Sequence, residues 1–176
     1  MPTPPDFTSG SVLTAAQMNA VGLWLVKTQT IGTGVSSVTV TGAFSSDYDV
    51  YLVTIVGGSA SANTALGIQM GATTSGYAYS LLYTSYTNTA AAVGTGSGSS
   101  FLYAGGGTTS SLRMACTITA PYLTEQTDFH GSSTNGSFSG VCAGYLNDTT
   151  SYTDFTVVTQ GVTMTGGTIR VYGYRN

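Results

Sequence analysis

The chain has 176 residues, of which four are Lys or Arg and seven Asp or Glu, with one histidine and a formal net charge of −3. Charged residues make up 6% of it, against about 25% in ordinary soluble domains, while the hydrophobic share of 41% suffices for a packed core. So few cations exclude a phosphate-tracking surface, hence a nucleic-acid partner, and no apolar run approaches about 18 residues, so no membrane insertion is expected.

Residues 1–30 read as an N-terminal arm and one short α-helix. Pro2, Pro4 and Pro5 keep the start extended, and MPTPPDF lacks the basic opening of a secretory signal. Thr14 and Gln17 form a capping box with Leu13 as its staple, and Leu13, Met18, Val21, Trp24 and Leu25 fall on one apolar side. That helix is expected to end between Gly22 and Lys27.

Residues 31–176 change to a period of two. Strands are expected at 35–41, 48–56, 64–70, 77–86, 100–103, 111–119, 126–130, 136–146, 154–160 and 168–174, separated by Gly, Ser, Asn and Thr clusters. Many short strands without intervening helices predict an all-β fold, an antiparallel β-sandwich with a jelly-roll-like arrangement. The stretch from Thr87 to Ser100 and the run Gly105–Gly107 read as loops. With almost no Lys or Glu to blunt the sheet edges, such a fold is expected to cover them in a homo-oligomer.

The chemistry-bearing residues are sparse. His130 has no nucleophile elbow near it, and Asp47 and Asp49 flank Tyr48 at a strand entrance, where turn bonds account for them. No catalytic residue, metal ligand set or cofactor motif is predicted, and the chain is read as non-enzymatic. Cys116 and Cys142 are expected to be buried free thiols. Arg170, inside an apolar strand, is expected to pair with a carboxylate or cap carbonyls at an interface. Tyrosine is abundant, with 12 in the chain. Tyr77, Tyr79, Tyr83 and Tyr86 form a cluster whose rings suit either packing or carbohydrate or protein binding.

The segment FTSGSVLTAAQMNAV, residues 7–21, resembles the G-x-x-LTAAxxN opening of many tailed-bacteriophage virion proteins, especially tail-fibre and minor tail proteins. The ending TGGTIRVYGYRN, residues 165–176, resembles the terminal strand of the same group. The resemblance implies a small β-sandwich on an anchoring segment, homotrimeric and displayed on the exterior surface of the virion. The attachment role then falls on Phe7, Leu13, Thr14, Gln17, Met18 and Asn19, with other virion proteins of the tail, or the major capsid protein, as partners. A short tail fibre of receptor-binding type is the first expectation, with Tyr77, Tyr79, Tyr83 and Tyr86 as its candidate contact with a host cell-surface glycan. A capsid-decorating head fibre or cement protein that stabilises the shell is the alternative, because no collagen-like, coiled-coil or β-helix shaft is present.

Overall fold

The structure, a computed structural model, describes residues 22–175. Its strands are β1 (Leu23–Thr30), β2 (Thr33–Val35), β3 (Ser37–Val40), β4 (Tyr48–Gly57), β5 (Ser59–Ala60), β6 (Thr64–Met70), β7 (Tyr77–Ser85) and β8 (Ala90–Gly98). They continue as β9 (Phe101–Thr108), β10 (Ser111–Thr119), β11 (Thr127–Thr134), β12 (Phe138–Leu146), β13 (Phe155–Thr159), β14 (Met164–Thr165) and β15 (Thr168–Arg175). The described residues contain no helix. Most of the helix expected from Thr14 lies outside the described residues. Its expected last turn is strand instead, since Trp24 and Leu25 belong to β1 and pair with Gly173 and Tyr172. Alternation decides the matter there: Trp24 and Val26 turn toward the core while Leu23 and Leu25 turn out.

The fold is all-β and antiparallel, a large curled, sandwich-like sheet organised around β10. One edge of β10 pairs with β4 from Leu112↔Gly57 to Thr119↔Val50. The other edge divides, with Ser111–Met114 pairing with β9 and Cys116–Thr119 pairing with β11. The sheet therefore forks. Beyond β4 it continues to β15 and β1, beyond β9 to β6, β13 and β3, and beyond β11 to β12, β7 and β8. The rows β1-β15-β4-β10 and β3-β13-β6-β9 face each other across the core. Val53, Ile55, Ile169 and Val171 from one meet Leu66, Ile68, Phe155 and Val157 from the other. The hairpins β7–β8 and β11–β12 form the remaining branch. Its inner face is closed by Phe101 of β9, which stacks on Phe129 at 4.8 Å and meets Tyr77 edge-on at 4.9 Å.

Two segments expected as loops are strands, for one reason. Gly105–Gly107 lies inside β9 where β11 crosses it. A methyl group on Gly106 would stand 2.0 Å from the Thr134 carbonyl oxygen, and one on Gly105 would stand 2.8 Å from Met114 Cβ. The glycines are spacers for a close crossing, locked by a bond from Ser133 Oγ to the Gly105 carbonyl of 2.8 Å. Thr87–Ser100, similarly, holds edge strand β8. Its hairpin turn has Asn88 at φ 65 and a bond from the Ser85 amide to the Thr89 carbonyl. Its small residues fit because Tyr79 lies against Gly98.

Replacing Gly106 by Ala is expected to destabilise the fold by about 1–3 kcal/mol, the usual cost of forcing volume into a closed contact. Urea unfolding of the variant beside the native chain measures it.

Candidate functional site

The tyrosine cluster divides between core and surface. Tyr77, Tyr79 and Tyr83 do share one face of β7, but it is the inward one. Tyr77 is fully buried; the Met70 amide donates to its hydroxyl at 2.6 Å, and that hydroxyl donates to the Thr73 carbonyl at 3.1 Å. Burial pushes its phenol pKa up. Tyr79 and Tyr83 lie over Gly144 and Gly140 of β12, where a methyl group would stand within 2.7 Å of the tyrosine Cβ atoms. These pairs put an aromatic ring over a glycine on the neighbouring strand, the device that restores packing where a side chain is missing. Only Tyr86, in the turn after β7, is exposed. The attachment residues Phe7, Leu13, Thr14, Gln17, Met18 and Asn19 lie outside the described residues.

The charged candidates make no catalytic constellation. His130 is exposed on the outward face of β11, between Thr117 and Ala143. Asp128 and Ser132 share that face two residues away on either side, but no hydrogen bond joins the three. Asp47 accepts from Ser45 Oγ at 3.2 Å in the turn that precedes β4. Asp148 accepts from the Thr150 amide and hydroxyl at 2.7 and 2.6 Å and from the Tyr152 hydroxyl at 2.8 Å. The Thr150 hydroxyl, then the Tyr152 hydroxyl, hold its carboxyl below the usual carboxylate range. Tyr152 reaches on to Thr73 at 2.7 Å, so this network ties the β12–β13 loop to the β6–β7 turn. Among the described residues no group of three or more His, Cys, Asp or Glu side chains could hold a metal ion.

Cys116 and Cys142 are free and buried. They stand two strands apart in one row, Cys116–Gly131–Cys142, with Gly131 between them. Strands about 4.8 Å apart put their Cα atoms roughly 10 Å apart, beyond the reach of a disulfide. Burial pushes the Cys142 thiol up to about 11 and raises that of Cys116 further, so neither is a nucleophile at neutral pH.

What remains accessible is the outward face of the sheet. Two adjacent rows cross β1, β15 and β4: Leu25–Tyr172–Leu52 and Leu23–Tyr174–Val50. Leu25 is 55% exposed, Tyr174 and Leu23 are exposed, and Tyr172, Leu52 and Val50 are half-buried. The next row holds Arg170, half-buried between Thr28 and Thr54. The carboxylate partner expected for it is not found among the described residues, because the row it occupies contains no acid. At the far end of the same face, the fork in the sheet opens a cleft of about 530 Å³ beside Arg113. No residue in this cleft was marked by a motif. The alternation in β10 would have placed Arg113 outward, but only the pairing pattern shows that β11 leaves it there.

The chain matches no protein-family model, no curated protein and no solved structure.

Two outcomes follow from the titrating groups. A thiol reagent at neutral pH is expected to leave Cys116 and Cys142 unlabelled in the native protein and to label both after denaturation, as read by intact mass. Asp148 is held below its ordinary range in the folded state. Its stabilisation is therefore present above the usual carboxylate range and is lost as pH falls through the folded value. Asp148→Asn is expected to melt below the native chain at neutral pH, with the gap closing in acid, in thermal unfolding across a pH series.

Proposed function

We propose that this chain is a non-enzymatic structural subunit of a tailed-bacteriophage virion. In this reading it is a homotrimer of the short tail-fibre, receptor-binding type, held at its N-terminus and displayed on the particle exterior. The observation that carries the reading is the uncharged apolar surface of Leu23, Leu25, Tyr172 and Tyr174 on edge strand β1 and its neighbour. Soluble monomers rarely leave contiguous apolar area of this kind open, and where they do it marks an interaction surface.

A second copy is the occupant that its chemistry suits. The two rows offer Leu, Tyr and Val with no acid or base, so they complement another copy of themselves rather than a charged partner. The strand order also supports an assembly module. Taking β1, β3, β4, β6, β9, β10, β13 and β15 in sequence, the facing rows run first-eighth-third-sixth and second-seventh-fourth-fifth. That order supports a jelly-roll reading, an architecture common in capsid and lectin domains. The opening and closing segments that resemble virion proteins supply the particle.

Light scattering on the purified chain is expected to give a trimer, and Leu25→Glu with Tyr174→Glu is expected to give monomers that keep their β circular dichroism. A native chain that stays monomeric overturns the assembly reading, and absence of the chain from purified particles by mass spectrometry overturns the virion reading. Copy number then separates the addresses: few copies per particle fit the tail, and copies in proportion to the major capsid protein fit the decorating role.

A further inference from the structure

The geometry points to a binding site for a carboxylated sugar, a sialic or uronic acid residue, in the cleft beside Arg113. The inference does not rest on where the protein is assembled. The cleft exists because β10 changes partner: Ser111–Met114 pairs with β9, while the end of β11 lifts away and crosses over β9. Val56, Arg113 and Ala115 form its floor, and Ser132 and Thr134 form its wall. Its volume, about 530 Å³, lies within the usual range of about 300–1,000 Å³ for small-ligand sites.

Two polar groups there are unspent. Arg113 is exposed and makes no hydrogen bond or ion pair, and the Ser132 hydroxyl, also exposed, makes no hydrogen bond. In a chain with only four Lys and Arg, one of them stands without an acid in an outward cleft. A guanidinium offers a planar fork that matches one carboxylate, and a single positive charge balances a monoanion rather than a phosphate dianion. The hydroxyl wall suits a polyol, and Val56, 62% exposed, offers a patch for the apolar face of a sugar ring. The cleft opens at the Val56 end of β4, away from Val50 and the apolar rows, so assembly through those rows leaves it open.

The test is titration of the full-length protein, its oligomeric state checked by light scattering, with methyl glycosides of N-acetylneuraminic acid and of glucuronic acid. Amide shifts in nuclear magnetic resonance spectra are the readout. Binding by either glycoside is expected in the millimolar range, with shifts confined to Arg113, Ala115, Ser132 and Thr134, and the glycoside that binds identifies the sugar. The methyl glycosides of glucose and galactose are expected to bind at least about tenfold more weakly. Arg113→Ala is expected to lose about tenfold in affinity and Arg113→Lys less, with unchanged melting because Arg113 makes no internal bond. Ser132→Ala is a second variant with a smaller loss. Equal binding of neutral sugars, unchanged affinity in Arg113→Ala, tighter binding of a peptide carboxylate, or no shift with either acidic glycoside overturns the proposal.

Discussion

A strand has two hydrogen-bonding edges, and every buried amide and carbonyl on them needs a partner. In β10 one edge is shared out between two strands, β9 for the first half and β11 for the second. Everything distinctive in the molecule depends on that division. It splits one sheet into a sandwich and a side branch, forces β11 across β9, and opens the outward cleft at the point of separation. The crossing is held by a buried hydroxyl-to-carbonyl bond between Ser133 and Gly105, so the branch point is fixed by chemistry as well as by shape.

Close approach of backbones and rings sets the composition. Where Tyr79 and Tyr83 lie across Gly144 and Gly140, and where Tyr48 covers Gly173, the sheet trades side chains for flat rings packed on bare backbone. Hydroxyls then do local work that charges do elsewhere. Thr39 meets Thr156, and Thr134 meets Ser139, across neighbouring strands. A sheet built this way keeps β-propensity and polarity with almost no ionic groups.

Alternating strands were readable from sequence. In β10, Leu112, Met114, Cys116 and Ile118 turn inward and the residues between them turn out, as their period of two requires. The expected free, buried thiols are present as well. Three elements were hidden for stated reasons. In β1, the spacing of Leu13, Met18, Val21, Trp24 and Leu25 fits a helical stripe, while its pairing with β15 is decided by residues some 150 positions away. In β8, the Ala, Gly and Ser content matches loop composition, and its strand conformation comes from β7. In Gly105–Gly107, low β-propensity points to a loop, while the crossing strand that demands glycine is invisible in local sequence. The same limit applies to the accessible chemistry. The tyrosine parity was legible, but parity alone does not say which face is inward. Arg113 stands apart only once β11 is seen to leave it.

The seam between β1 and β15 has a kinetic consequence. Leu23 pairs with Tyr174, so the last described strand completes the site left by the first. The β7–β8 and β11–β12 hairpins, by contrast, join neighbours in sequence and pay little loop-closure entropy. Folding rates fall as contacts become less local. The side branch can therefore form early, while the long-range closure of β1, β15 and β4 waits for β15. The apolar rows across β1, β15 and β4 therefore come together only after β15 is made.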